Sequence, residues 1–319
     1  MTDLVTFGET MLRLSPPGEE RLETADQYNV RAAGAESNVA VAAQRLGLDS
    51  TWTSKLPDSP VGRRVAGELQ RHGVTVDVVW DESETGRQGT YYLEQGERPR
   101  GNEVIYDRRN ASVTTATTAE LPTDAIADAE GFHTTGITPA LSETLEATTA
   151  DLLSVAQDAG TTTCMDLNYR SKLWEPAAAR AVLTDLFPAV DVLVVAQRDA
   201  EVVLDRSGDA ASIASGLGDE FGFEATVVTR GSDGALAHVD GEVVEQPTFA
   251  ATDAHPVGTG DSFVGGFLSQ YLTGESVADA LAWGAATAAL KRSIPGDIAV
   301  VSPGEVRSIL RGETEAISR

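Results

Sequence analysis

Close to the C-terminal end of the 319-residue chain lies Val257-Gly-Thr-Gly-Asp261-Ser-Phe-Val-Gly-Gly-Phe267. Glycines 258 and 260 free the backbone to curl just before a helical run. Successive N–H groups and the positive helix end then converge on one anion. This predicts a phosphate cradle without lysine, formed by Gly258, Thr259 and Gly260. Asp261 opens the helix beside it, where a carboxylate either caps the helix or takes a proton from a nearby hydroxyl. Other phosphate chemistries are excluded. Lysine stands only at 55, 172 and 291, never in the Gly-Lys-Ser/Thr setting of a P-loop. The first strand candidate, 4–8, runs into Glu9-Thr10-Met11 instead of a glycine fingerprint, which makes a dinucleotide enzyme improbable.

Outward from this stretch, β-rich runs alternate with helical patterns closed by glycine. Helices are expected at 38–46, 62–72, 142–159 and 261–273, each followed by a glycine suited to a left-handed cap. Strands are expected at 131–135, 162–168, 191–196 and 225–229. An unbroken apolar run such as Val192-Leu-Val-Val-Ala196 suits a strand buried on both faces, hence a mostly parallel, doubly wound sheet with helices on both sides. Two stretches, about 13–31 and 89–110, break the alternation. They are read as insertions forming a small β-lid on a single α/β domain covering 1–319.

Twenty-four Lys+Arg against 49 Asp+Glu leave a formal charge of -25, which excludes a nucleic-acid binder working through a basic face. Scarce lysine among many carboxylates predicts a halophilic protein, since hydrated carboxylates tolerate a Debye length of about 3 Å at 1 M salt. A lone cysteine, Cys164, has no partner for an internal disulfide and reads as a small core residue. The first residues lack the pattern of a signal peptide, and no apolar run approaches the ~18 residues of a membrane span. A cytoplasmic protein without membrane contact is expected.

A second glycine-led segment, Gly34-Ala-Glu-Ser-Asn38-Val-Ala-Val-Ala-Ala, stands at the other end of the chain, and Val228-Thr229-Arg-Gly231-Ser-Asp-Gly234 lies between. Together with the 257–267 stretch, and in this order, they resemble the ribokinase-like (PfkB-type) carbohydrate kinases over about the whole chain. The resemblance implies an ATP-dependent sugar kinase with Mg2+, in which Asp261 is the base and Gly258, Thr259 and Gly260 hold the phosphoryl oxygens. It implies that Thr229, Gly231, Gly234, Gly258 and Gly260 contact the nucleotide, while Gly34, Asn38 and Asp261 contact the sugar. It also implies a homo-oligomer joined through the lid, whose strand edges are open.

Within that family the chain is similar to the 2-keto-3-deoxygluconate kinases, which phosphorylate a sugar acid to 2-keto-3-deoxy-6-phosphogluconate in a modified Entner-Doudoroff route. Tyr106-Asp-Arg108, Asn168-Tyr-Arg170 and the lid residue Tyr91 carry this closer resemblance. It implies that Tyr91, Tyr106, Arg108 and Arg170 bind the acid, since guanidinium pairs bidentately with carboxylate. Two departures stand out. His255-Pro256 replaces the Asp-Thr that opens the family's DTxGAGD motif, which leaves a monovalent-cation requirement open, with Asp253 as a substitute ligand. Ala196-Gln-Arg-Asp199 replaces Asn-x-x-Glu, leaving Asp199 or Glu201 as the metal carboxylate. The alternatives are a kinase of a neutral sugar, fructose or ribose, and a non-catalytic sugar-binding paralogue.

Overall fold

A computed structural model describes residues 2–96, 99–252 and 254–313. In chain order the strands are β1 (Leu4–Phe7), β2 (Met11–Ser15), β3 (Asn29–Ala33), β4 (Ser50–Pro57), β5 (Thr75–Asp81), β6 (Thr90–Glu94), β7 (Glu103–Asp107), β8 (Gly131–Thr135), β9 (Thr162–Asp166), β10 (Val192–Ala196), β11 (Ala225–Thr229), β12 (Ala235–Val239) and β13 (Glu242–Gln246). The helices are α1 (Ala35–Leu46), α2 (Pro60–Gln70), α3 (Thr123–Ala127), α4 (Glu143–Ala159), α5 (Pro176–Leu186), α6 (Gln197–Val203), α7 (Ala210–Phe221), α8 (Thr259–Tyr271), α9 (Val277–Lys291) and α10 (Pro303–Leu310).

The main sheet runs β13-β12-β11-β10-β9-β8-β1-β4-β5. Its strands are parallel except for β12 and β13, which close one edge as antiparallel hairpins. The chain starts at β1 in the interior of the sheet and winds outward in both directions, the doubly wound α/β arrangement. Strand β10 shows why such a run needs two covered faces. Leu193 and Val195 join the apolar cluster under α4, α5, α6 and α7, while Val192 and Val194 join the one under α1, α8 and α9. Alternate side chains of a strand point to opposite faces, so an all-apolar strand is stable only between two helical layers. Cys164 of β9 is buried, and no other described cysteine accompanies it.

Helix limits shift from the expected ones for local reasons. Helix α2 starts at Pro60, because Ser59 accepts from the Gly62 N–H and proline suits the first helical position. It ends at Gln70, not at 72. Helix α4 is capped by Ser142, which accepts from the Leu145 N–H, and it closes on Gly160 at φ +81. Helices α1 and α8 each begin directly after a glycine, at 35 and 259 instead of 38 and 261. Strand β9 stops at Asp166, before Asn168, which takes a left-handed φ of +41 and turns the chain.

A second sheet, ordered β3-β2-β6-β7, projects from the body. The 13–31 and 89–110 stretches supply most of it, with the pairing extended to Met11 and Ala33. Its inner face carries Met11, Ala33, Tyr91 and Leu93, with Tyr106 and Val257 packed against them, so it lies over the glycine turn at the start of α8. Among the described residues no helix is long and apolar enough to cross a membrane.

Candidate active site

The carboxyl ends of β1, β9 and β10, the starts of α1 and α8, and the inner face of the second sheet enclose a cavity of about 420 Å³. Ligands of open α/β sheets bind at this end of the strands. Gly34, Asn38, Tyr91, Tyr106, Arg108, Arg170, Asp199, Gly258, Thr259, Gly260 and Asp261 all line it. A second cavity of about 470 Å³ adjoins it and is lined by Thr229, Gly231, Gly234, Phe249 and Phe263 among others. Thr229, Thr259 and Gly260 face both cavities, so the turn opening α8 is the partition between them.

Two glycines in this turn region are required by close approach. Gly258 takes φ +81, and a Cβ there would overlap the Asp297 carbonyl oxygen. A Cβ on Gly34 would overlap the Glu9 carbonyl oxygen. At the start of α8, Gly260 and Asp261 have no helical carbonyl four residues back for their N–H groups, as in any first turn. Thr259 differs from expectation. Its N–H and hydroxyl both turn back to the Pro256 carbonyl oxygen, at 3.3 and 2.7 Å, which ties the loop and removes this N–H from the anion.

Asp261 accepts a 2.7 Å hydrogen bond from Asn38 Nδ2 on α1. Burial raises its pKa to about 6, and the Asn38 bond and Arg170 restrain the rise. Asp166, at the end of β9, is pushed up to about 7 by burial and by the charge of Asp261, against the opposing effect of Arg170. One cationic side chain, Arg170, thus acts on both carboxylates. Asp199 is buried at the same cavity, whereas Glu201 is exposed on α6 and bonds Gln197 at 3.0 Å. Of these two carboxylates only Asp199 lines the cavity, and it accepts a 3.0 Å hydrogen bond from Arg198 Nε.

The four residues expected to bind the acid all line this cavity, and two of them already have partners within the protein. Arg108 reaches the cavity, but its guanidinium is ion-paired with Glu9, whose side chain is buried just after β1. Tyr91 also lines the cavity, yet its hydroxyl donates to Asp297 Oδ2 at 3.1 Å. The Tyr106 ring lies tilted against that of Tyr91 with centres 5.8 Å apart, and the Arg108 guanidinium is 5.4 Å from its ring centre. Arg170 is exposed at the cavity mouth. His255 does not line the cavity, and Asp253 lies outside the described residues. Glu9, Glu36 and Asp297 are cavity residues that motif reading passed over, and Asp166, which opens the Asn168-Tyr-Arg170 stretch, lines the cavity as well. Glu9 left one signal, a carboxylate directly after the first buried strand; Asp297 left none beyond a Pro-Gly-Asp turn.

Several buried polar atoms here lack a partner within the chain, among them Asn38 Oδ1, Glu9 Oε1 and Arg108 Nε. Buried polar atoms are normally paired, so each of these keeps hydrogen-bonding capacity for a water or a ligand in the cavity.

The sequence pattern of the pfkB family carbohydrate kinases matches residues 1–303. The chain is 59% identical over 317 residues to a 2-dehydro-3-deoxygalactonokinase of Haloferax volcanii, covering 99% of each. It is 32% identical to a 2-dehydro-3-deoxygluconokinase of Bacillus subtilis, over 93% of this chain and 91% of that one. The crystal structure of a 2-dehydro-3-deoxygluconokinase from Thermotoga maritima superposes with a TM-score of 0.90 at 33% identity, covering 98% of both chains. With its paired cavities, its Asp261 directly after the partition and these matches, the chain belongs to the pfkB family of carbohydrate kinases.

Proposed function

We propose that this protein transfers the γ-phosphoryl group of ATP to the terminal hydroxyl of a 2-keto-3-deoxy sugar acid. One observation carries the reading: Asp261 lines a polar, carboxylate- and arginine-lined cavity directly after Gly260, which faces both that cavity and a second, largely apolar one. The sugar acid fits the first cavity and the nucleotide the second. The hydroxyl oxygen attacks phosphorus, an O–P bond forms as the bond to the β-phosphate oxygen breaks, and the hydroxyl proton passes to Asp261. Asn38 holds that carboxylate in place, and the N–H groups of Gly260 and Asp261 face the transferring oxygens. The second sheet excludes water from the cavity as a lid.

Mg2+ brought with ATP would bind through the nucleotide phosphates and one or two protein carboxylates, offsetting phosphate charge. Asp199, which lines the sugar cavity, would supply such a carboxylate.

The identity to the Haloferax volcanii relative favours the galactonate epimer over the gluconate one, while the Glu9–Arg108 pair favours the rival reading of a neutral sugar, since it leaves that guanidinium already neutralised. An ADP-release assay over both 2-keto-3-deoxy acids, fructose and ribose decides. Preference for either acid by tenfold or more in kcat/KM supports the proposal, and preference for fructose or ribose overturns it.

A further inference from the structure

Lys291, the last residue of α9, is one of three lysines in the chain and is fully buried. Its ammonium donates to two backbone carbonyl oxygens, His255 at 3.2 Å and Ile294 at 3.1 Å. These belong to different loops. One, 255–258, leads into α8 through the glycine turn. The other, 292–297, follows α9 and brings the Asp297 carbonyl against Gly258. A backbone bond from the His255 N–H to the Arg292 carbonyl, 3.1 Å, is a second tie between the two.

We propose that the Lys291 ammonium is a tethered internal cation that clamps these two loops together and so sets the shape of the anion cradle, making Lys291 a positioning residue for phosphoryl transfer. The physical case has three parts. A buried ammonium is costly unless its donors are satisfied, and here backbone carbonyls aim at it. The carboxyl end of a helix, where the carbonyls of α9 accumulate, favours a positive charge. Replacement by an apolar side chain would leave two partly buried acceptors without their donor at the point where the loops meet.

Four charged groups from the surrounding elements act on the ammonium: Asp297 of the second loop and Asp261 of α8 favour its charged form, while Arg13 of β2 and Arg31 of β3 oppose it. Burial outweighs the rest and lowers its pKa to about 8. The clamp therefore weakens as the pH rises through that value.

The rate measurements rest on the kinase reading, whereas ATP binding without sugar does not. The test uses the full-length chain and the variants Lys291→Met, Lys291→Arg and Lys291→Ala, with folding checked by thermal melting. Lys291→Met should weaken ATP binding and lower kcat by about tenfold or more, with the sugar KM nearly unchanged. Wild-type ATP affinity should fall above pH 8, and Lys291→Arg, which keeps its charge, should lose that alkaline decline. If Lys291→Met does not fold, Lys291→Ala assayed with added propylammonium takes its place, and saturable recovery supports the clamp. ATP affinity within twofold of wild type in folded Lys291→Met, or absence of recovery in Lys291→Ala, overturns it. A wild type that binds ATP with the alkaline decline but phosphorylates none of the sugars would sink the function and leave the clamp standing.

Discussion

At Asp261, the proposed base, two demands meet in one side chain: it must be ionised to accept a proton, yet its place at the start of α8 removes it from water. Burial raises the pKa to about 6, so the ionised fraction, and with it kcat/KM, should fall as the pH drops through 6. Asn38→Ala removes a donor that favours the ionised form and should move this acidic limb to higher pH; a limb that stays in place would deny Asn38 that role. Asp261→Asn should cut turnover by about 10² to 10⁴ with ATP binding retained, measured by steady-state kinetics and calorimetry.

The pair Glu9–Arg108 poses the second residue-scale question, since the guanidinium serves a buried carboxylate as well as the cavity. Arg108→Ala alone leaves the Glu9 carboxyl buried without its partner, which should lower the melting temperature, and should also raise the KM for the sugar acid about tenfold. The double variant Glu9→Gln/Arg108→Ala should recover the stability but not the KM. Joint recovery of both would mean that Arg108 is structural.

Among the elements, the second sheet and the start of α8 are joined through one loop. Arg13 of β2 is ion-paired with Asp297, and Tyr91 of β6 donates to the same carboxylate. The Asp297 carbonyl in turn packs on Gly258. Asp297 thus touches both the second sheet and the cradle, beside the direct packing of Val257 on the sheet. Gly258→Ala meets both a positive φ, costing about 1–2 kcal/mol, and overlap with that carbonyl. The expected result is a folded protein whose kcat falls far more than its melting temperature. Near-normal turnover would show that the turn tolerates displacement.

For the whole molecule, the net charge of -25 is spread over a surface where carboxylates outnumber cations two to one. At low ionic strength their mutual repulsion acts against the compact state, and salt screens it. The melting temperature should therefore rise steadily from dilute buffer to molar KCl. A flat profile would remove the halophilic reading. The open edges at β3 and β7 keep the expectation of lid-mediated association, which sedimentation in the same salt would test.

The α/β winding was legible because it rests on local patterns: two-faced apolar strands such as 192–196, glycine caps at 47 and 160, and the glycine turn before Asp261. Each depends on residues a few positions apart, where backbone geometry and burial dictate one outcome. The cavity-lining motif residues were legible for the same reason. What they bind inside the protein was not. Glu9 meets Arg108 across 99 positions and Arg13 meets Asp297 across 284. No periodicity or propensity links such pairs, because their contact exists only once the second sheet has folded over the strand ends. Whether an arginine is held by the protein or offered to a ligand is an outcome of packing and desolvation at one point in space. That decision belongs to the tertiary structure alone.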